Sequence, residues 1–316
     1  MSANAHTAVM TDLEQRIQDG RQLSAPRPRI NRIMEDRFYG QKPRVDIQRA
    51  VLFTQSMMQT EAYPQVLRTA LAIQYMMEHI EVVIQPHELI VGTAGGPGRY
   101  CVLYPETRGG QFPRDLPKIL KAEGKAGYAM TQAEVDTVLN EVVPYWKGKT
   151  LRDYWNAQAP KPILDIISVG GVIDNDIKIE CTPGDIVPEF KENIFAKGFG
   201  GIRAQAQALL ETVDLNDVEN YDRRDFWEAI TITCDGFSIL CRRHAQAARE
   251  LAATERDGTR KAELLGMAEA CDAIAENPPK TFREAMQLHY FIFVGLFIEG
   301  NAGGYSPGRM DQNLYP

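Results

Sequence analysis

Arg203 and Gln207 are the two side chains in this 316-residue sequence whose types and spacing could hold an anion. They lie four residues apart in "GFGGIRAQAQALL", so on a helix their side chains stack on one face. A guanidinium and a carboxamide one turn apart offer several N–H donors to a tetrahedral or planar oxyanion. The same spacing also suits an exposed helix face, and the residues alone favour that simpler interpretation.

Other patterns that could carry chemistry favour ordinary structural roles. The glycine-rich stretch "GTAGGPGR" (92–99) matches neither common phosphate-binding glycine motif, and no helical pattern follows it directly. The five histidines lack the spacing of a metal site, and no nucleophile-elbow motif occurs. The five cysteines are odd in number and show no CxxC pair, so we expect buried, reduced thiols. These cysteines are Cys101, Cys181, Cys234, Cys241 and Cys271.

The element that must carry Arg203 and Gln207 is predicted to be a helix from about Ile202 to Thr212. A shorter helix over 189–196 precedes it, and three glycines between the two helices allow a tight joint.

Hydrophobic periodicity predicts a mainly helical chain with a few buried strands. A first helix is expected after Asp46, and a second, longer helix between Pro64 and Pro86. Their apolar stripes are Ile47, Val51, Thr54 and Met58 in the first helix, and Val66, Ala70, Ile73, Met77, Ile80 and Ile84 in the second. "ELIVGTAGGPGRY" predicts a buried strand before a glycine loop, and "ILDIISVGGVIDNDIKIE" predicts strand-like or buried-loop structure.

Later segments add three helix predictions. A long helix is expected over 226–253. Capping boxes should begin two others, at Thr131 with Glu134 and at Thr281 with Glu284. The helix after Thr281 is apolar on nearly every side, so it should be buried.

Charge and hydropathy exclude several classes of protein. A net charge of -7 argues against a general nucleic-acid-binding surface. The longest apolar run, "YFIFVGLFI", is too short to span a bilayer, and the first 20 residues lack a signal-peptide pattern. We therefore expect a cytoplasmic protein that binds neither nucleic acid nor membrane.

Two long motifs resemble those of the glycyl radical enzymes, the pyruvate formate-lyase-like superfamily. "PPKTFREAMQLHYFIFVGLFIEGNAGG" followed by "SPGRMDQNLYP" resembles the family's "P.TF.EA.Q" helix and GRxDQxLYP segment. Upstream, "DIQRAVLFTQSMMQTEAYPQVLRTALAIQYMMEHIEVVIQPHELIVG" resembles its opening helix pair and "DELIVG" stretch. The resemblance covers about residues 25–316, with both motifs in the family's order.

The resemblance implies an α/β fold, of which this chain is the N-terminal part: a ten-stranded barrel made of two antiparallel half-barrels, with this portion mainly helical. Residues 31–316 would belong to the pyruvate formate-lyase-like domain, after a polar lead over 1–30. The family's thiyl-forming cysteine, its partner glutamate and its radical glycine would lie beyond Pro316. The resemblance therefore assigns no catalytic residue and no metal site to this chain, which we expect to be inactive alone.

The same resemblance implies the cofactor and partners. This chain would bind no cofactor itself. The glycyl radical would be installed in the C-terminal part by a radical SAM activating enzyme, which uses S-adenosylmethionine and a 4Fe–4S cluster. Family members are usually homodimers, and some are enclosed in bacterial microcompartments, so enclosure stays open beside a free cytoplasmic location.

One departure and one match narrow the implied substrate. Glycerol- and choline-acting relatives commonly carry a substrate-side histidine where this chain has Asp185, which argues against those activities. The sulfonate-acting branch similarly places an arginine and a glutamine one turn apart, so the resemblance implies that Arg203 and Gln207 bind a small organosulfonate. The implied reaction is cleavage of isethionate (2-hydroxyethanesulfonate) to acetaldehyde and sulfite.

Three alternatives stay open beside that reaction. A dehydratase of 2,3-dihydroxypropane-1-sulfonate would need the same pair, Arg203 and Gln207, as a sulfonate clamp. An arylacetate decarboxylase would present a carboxylate to Arg203. A helical scaffold that only binds a partner chain is the alternative from a different class. In the closing motif, Arg309 and Asp311 are expected to brace the barrel as a buried pair.

Overall fold

The chain forms two compact units that divide between Lys42 and Pro43. The first unit is described from residue 28 and contains helix α1 (Pro28–Met34), which continues into a π-helical turn over Glu35–Tyr39. All other described elements belong to the second unit. The structure, a computed structural model, describes residues 28–121, 128–169, 185–186, 188–300 and 304–314.

The second unit is mainly helical. Its earlier helices are α2 (Gln48–Gln59), α3 (Gln65–His79), α4 (Pro105–Arg108), α5 (Phe112–Lys121), α6 (Gln132–Thr137), α7 (Val143–Trp146), α8 (Leu151–Gln158) and α9 (Lys161–Val169). Its later helices are α10 (Phe195–Glu211), α11 (Asn220–Thr254), α12 (Gly258–Ile274), α13 (Phe282–Glu299) and α14 (Met310–Asn313). Short 3-10 or π-helical turns cover Gly109–Gln111, Val138–Val142 and Phe190–Ile194. Within the described ranges, every helix is too short or too polar to cross a membrane.

Two short parallel strand pairs join distant parts of the chain. Strand β1 (Arg44–Asp46) pairs with β2 (Tyr100–Val102). Strand β3 (Asp185–Ile186) pairs with β4 (Gly304–Tyr305), with the first residue of each strand opposite the other. The second pair therefore places the segment before α10 beside the segment before α14. The long stretch of chain between these segments is what a parallel pair requires.

Helix α11 is the centre of the core and packs against α3, α10 and α12. Its 35 residues give it a length of about 50 Å, and it begins at Asn220, a few residues before the predicted start. Buried positions recur along it at helical spacing: Phe237, Leu240, Cys241, Ala245 and Ala248. Gly236 lies so close to α3 that a Cβ there would be 2.9 Å from the Gln74 Cα. Small side chains therefore allow the close packing.

Helix α2 is present as predicted, but its buried face is rotated. The helix buries Ala50, Phe53 and Met57, whereas Met58 of the predicted stripe is 55% exposed. Arg49 is also fully buried, and a charged residue on the core side hides the true periodicity of the pattern.

Helix α3 ends at His79, so the prediction that it continues to Pro86 is wrong. The predicted strand in "ELIVGTAGGPGRY" is also wrong, because the chain is irregular up to the short β2. Val91 is nevertheless fully buried. Its backbone N–H and C=O are bonded to the Gln287 side chain instead of a neighbouring strand.

The segment predicted as strand-like from Ile163 onward is helical as far as Val169, where α9 ends. Its continuation over 170–180 lies outside the described residues. An apolar run of this length suits either a buried strand or a helix, and periodicity alone does not separate them. Helix α12 was not predicted.

The capping predictions hold at one helix and partly at another. Thr131 and Glu134 form the complete reciprocal box at the start of α6. At α13, the Thr281 hydroxyl accepts from the Glu284 N–H at 3.2 Å. The Glu284 carboxylate, however, accepts from the Lys280 N–H at 2.6 Å. At α13 the Glu284 carboxylate therefore accepts from the residue before the N-cap and not from the N-cap residue itself, so the capping box is incomplete.

Candidate functional site

A glycine joint sets the start of α10, the helix that carries both predicted substrate-binding residues. Gly198 interrupts the helical dihedral angles with φ 64° and ψ 174°, in the region that favours glycine. A Cβ at Gly198 would lie 2.5 Å from the Asn277 carbonyl carbon, and one at Gly200 would lie 2.7 Å from the Glu276 carbonyl oxygen. The predicted tight joint is confirmed, and its cause is the close passage of the chain after α12.

Arg203 is held by two carboxylates from different elements. Its Nη1 donates to Asp235 Oδ1 on α11 at 2.6 Å, and its Nη2 donates to Glu276 Oε2 just after α12 at 2.7 Å. The Glu276 carboxylate also accepts a hydrogen bond from Arg242. The hydrogen bond to Asp235 raises the pKa of Arg203 above its usual value, and the hydrogen bond from Arg242 lowers the pKa of Glu276. Arg203 and Glu276 are therefore both charged near neutral pH.

The Arg203 guanidinium keeps donors for a ligand. Its two ion pairs use two of the five N–H groups that an arginine carries. The side chain is 22% exposed, so part of it is open to solvent. Gln207 lies one turn further along α10 and is exposed. The structure thus puts both predicted residues on one helix, and it adds Asp235 and Glu276, which the sequence did not indicate.

The β3–β4 pair contains Asp185, at which the resemblance implied a departure from the glycerol- and choline-acting relatives. Asp185 lies opposite Gly304, although its side chain is outside what the structure describes. The Tyr305 hydroxyl is hydrogen-bonded to His289 Nδ1 at 2.8 Å, which ties β4 to α13. Burial lowers the pKa of His289 and raises that of Tyr305, so both groups are neutral near pH 7.

Arg309 and Asp311 do not form the buried bracing pair that was expected. Both are exposed, at the start of α14. Across the ranges the structure describes, no ion pair joins them. A turn locked by a desolvated Arg–Asp pair is therefore not what this segment contains.

The glycine-rich loop is an ordinary structural loop, as expected. The Gly96 N–H donates to the Asp46 carboxylate at 2.8 Å, and the Ala94 N–H donates to the Tyr100 hydroxyl at 2.7 Å. Donors that a phosphate would need are thus occupied by the chain's own side chains.

Three cysteines are buried thiols as predicted: Cys234, Cys241 and Cys271. Burial raises the pKa of all three, so they are protonated near neutral pH. Cys101 is exposed, contrary to expectation, and Cys181 lies outside the described residues. Over the described ranges, no group of three His, Cys, Asp or Glu side chains is arranged to hold a metal ion.

Two buried polar residues in the quoted motifs were not singled out from the sequence. The structure shows that both have a structural role. Arg49 bonds the Glu106 carboxylate and the carbonyls of Ile298 and Glu299 at the end of α13. Gln287, the last residue of "TFREAMQ", makes two hydrogen bonds to the backbone of Val91. A polar residue inside an apolar helical pattern is the sequence signal that could have identified each of them.

Comparison with known proteins places the chain among relatives of known activity. The model of the family described as pyruvate formate lyase-like matches residues 19–316. The chain is 37% identical to an isethionate sulfite-lyase from Oleidesulfovibrio alaskensis, over 98% of this chain and 39% of that protein. It is 30% identical to a (2S)-3-sulfopropanediol dehydratase from Klebsiella oxytoca, over 92% of this chain and 35% of that protein.

Solved structures of glycyl radical enzymes are also similar to this chain. The B12-independent glycerol dehydratase from Clostridium butyricum is similar with a TM-score of 0.83 and 30% identity, over 92% of this chain and 36% of that one. The chain thus spans between a third and two fifths of the length of these relatives. The expected fold, a mainly helical portion of a glycyl radical enzyme barrel, is confirmed.

Proposed function

Because the chain belongs to the pyruvate formate lyase-like family of glycyl radical enzymes, we propose that the protein containing it is a carbon–sulfur lyase. Its substrate would be isethionate, and its products acetaldehyde and sulfite. The observation that carries this proposal is the Arg203–Gln207 pair on α10, in a chain 37% identical to an isethionate sulfite-lyase. The reaction balances without a co-reactant, since the substrate's atoms are all found in acetaldehyde and hydrogen sulfite.

Arg203 and Gln207 would bind the sulfonate group. A sulfonate stays ionised at every working pH, and arginine is a permanent cation, so the attraction does not depend on pH. The unused N–H donors of Arg203 and the amide of Gln207 would bond different sulfonate oxygens. As sulfite leaves, charge stays on the same oxygens, so donors fixed in place stabilise the departing group.

The radical chemistry would come from outside this chain. The proposed full-length enzyme would use a glycyl radical and a cysteine thiyl radical to remove a hydrogen atom from the hydroxyl-bearing C2 of isethionate. The neighbouring C–S bond would then break to release sulfite, and a hydrogen atom would be returned to the product. A radical SAM activating enzyme and a second copy of the chain are its proposed partners. The described residues would contribute substrate binding and part of the walls that keep water from the site.

The test is sulfite release by the full-length protein after anaerobic activation, with isethionate as substrate. Arg203→Ala should reduce kcat/KM by about 100-fold, as removal of a charge-stabilising donor does in other enzymes. Gln207→Ala should have a smaller effect. Arg223→Ala is the matched control, because Arg223 is exposed on α11 and bonds only Asn220 among the described residues. Sulfite release that is unaffected by Arg203→Ala would overturn the clamp.

A second candidate is a dehydratase of 2,3-dihydroxypropane-1-sulfonate, which would use the same clamp. The similarity to the Klebsiella oxytoca enzyme favours it specifically. Loss of water from that substrate with no sulfite from isethionate would select the dehydratase. The scaffold alternative makes a different prediction: the native polypeptide would have a mass near 35.5 kDa, instead of one several-fold larger.

A further inference from the structure

Glu276 is the point where the backbone and the charge network around Arg203 meet. Its carbonyl oxygen accepts from the Gly200 N–H at 2.7 Å, at the glycine joint of α10. Its carboxylate accepts from Arg203 Nη2 at 2.7 Å and from Arg242. One residue therefore contacts α10 at two places, almost one turn apart.

We propose that Glu276, assisted by Asp235, is a positioning residue that fixes the plane of the Arg203 guanidinium toward the substrate. The inference rests on the proposed function, because it deepens the role of the sulfonate clamp. An arginine side chain has several rotatable bonds, and ordering them costs entropy when a ligand binds. Two carboxylates on separate nitrogens remove that freedom before the substrate arrives.

The formal charges explain why position matters at this site. Arg203 and Arg242 are balanced by Asp235 and Glu276, so the cluster has no net charge. A sulfonate is then attracted by the directed N–H donors of Arg203, with little help from excess positive charge. An arginine in the wrong orientation would still be a cation, but it would not direct its donors at the leaving group.

The glycines of the joint serve the same arrangement. A Cβ at Gly200 would lie 2.7 Å from the Glu276 carbonyl oxygen, a distance that real Cβ atoms do not tolerate. Glu276 reaches Arg203 only because the backbone of α10 can approach this closely. Gly258, at the start of α12, is the contrast, because a Cβ there would meet nothing within 4 Å.

The experiment compares Glu276→Ala, Glu276→Gln and Gly200→Ala with Gly258→Ala in the anaerobically activated full-length enzyme. Glu276→Ala should lower kcat by about 10- to 100-fold, as small misplacements of catalytic groups do. KM for isethionate should stay the same or fall, because the cluster gains positive charge. Glu276→Gln keeps one acceptor for Arg203 and should recover part of kcat. Gly200→Ala should resemble Glu276→Ala, and Gly258→Ala should resemble the unmodified enzyme.

A second readout separates failure of this inference from failure of the proposed function. Crystal structures of the unmodified protein and of Glu276→Ala report the Arg203 orientation without any substrate. If isethionate is not cleaved but Arg203 turns away in Glu276→Ala, the lyase proposal fails and the positioning role stands. If Arg203 keeps its orientation in Glu276→Ala, or if kcat is unchanged in that variant, the positioning role is overturned. A lower melting temperature of Glu276→Ala, with unchanged kcat and KM, would likewise assign Glu276 to stability alone.

Discussion

Arg49 shows how a charged residue can be fully buried in this chain. Its Nε donates to the Ile298 carbonyl at 2.8 Å, and Nη2 donates to Glu106 and to the Glu299 carbonyl. Nη1 donates to the second Glu106 oxygen and to the Leu103 carbonyl. All five N–H groups are thus satisfied, which offsets the cost of removing the charge from water.

Arg49→Met should destabilise the protein by about 3–5 kcal/mol, because it leaves Glu106 and the carbonyls ending α13 without their partner. Arg49→Lys should recover little, since an ammonium cannot reproduce the fork of a guanidinium. Urea unfolding followed by circular dichroism measures the effect. Arg114→Met is the control, because Arg114 is exposed and, among the described residues, pairs only with its neighbour Asp115. Equal losses in the Arg49 and Arg114 variants would contradict this account.

His244 is the second buried polar residue with a measurable consequence. It is fully buried on α11, and burial lowers its pKa to about 4. Its Nδ1 lies 2.9 Å from the Leu240 carbonyl, and its Nε2 has no hydrogen-bond partner among the residues the structure describes. The imidazole is therefore neutral in the folded protein and becomes protonated more readily when the chain unfolds.

This difference predicts a loss of stability in acid. The unfolded His244 takes up its proton near its usual pKa of 6.5, whereas the folded one does so near 4. Stability from this group is complete above pH 6.5 and falls as the pH drops toward 4, by about 3 kcal/mol in total. His244→Leu should remove that part of the slope, as measured by unfolding between pH 7.5 and 4.5. His79→Leu is the control, since His79 is exposed and makes the same type of contact, to the Tyr75 carbonyl. An unchanged slope in His244→Leu would refute the assignment.

A side chain of helix α13 is hydrogen-bonded to the backbone of the irregular segment before β2, in place of a neighbouring strand. Gln287 Oε1 accepts from the Val91 N–H at 2.9 Å, and its Nε2 donates to the Val91 carbonyl at 2.6 Å. Both residues are buried, at 1% and 0% exposure. The amide thus satisfies two backbone groups in a segment that lacks a neighbouring strand.

Gln287→Leu should therefore leave two buried backbone groups unpaired, at a cost of about 1–3 kcal/mol each. Denaturant unfolding at neutral pH measures the loss. Gln246→Leu is the matched control, because Gln246 is exposed on α11 and bonds only Glu250 among the described residues. A variant of Gln287 as stable as the Gln246 variant would show that water replaces the lost amide.

At the scale of the whole molecule, sequence patterns predicted the long elements better than the short ones. Helix α11 and the helix after Thr281 were predicted because their buried residues recur over many turns. The strand pairs were not, because β3 and β4 have two residues each and their pairing depends on distant chain segments. The end of α3 was misplaced because a distant residue, Arg243 on α11, donates hydrogen bonds to the carbonyls of Met77 and Ile80 there, and nothing local in the sequence shows this contact.

In the candidate site too, residues close together in sequence were predicted and residues from distant segments were not. Arg203 and Gln207 were found because both belong to one helix and their spacing is visible in the sequence. Asp235 and Glu276 were missed because they come from two other parts of the chain, and nothing local marks them as partners of Arg203. Resemblance identified the family and suggested the substrate, whereas the network that orients the clamp required the three-dimensional structure.

The contacts of Arg49 also bear on how this chain is made. Arg49 and its partner carbonyl at Glu299 are separated by 250 positions in sequence. A ribosome adding about 5–20 residues per second needs roughly 12–50 s to synthesise the stretch between them. Throughout that interval Arg49 lacks the two carbonyls at the end of α13, although Glu106 and the Leu103 carbonyl are synthesised early. We therefore expect Arg49 and the helix that carries it, α2, to reach their final packing only after α13 has left the exit tunnel.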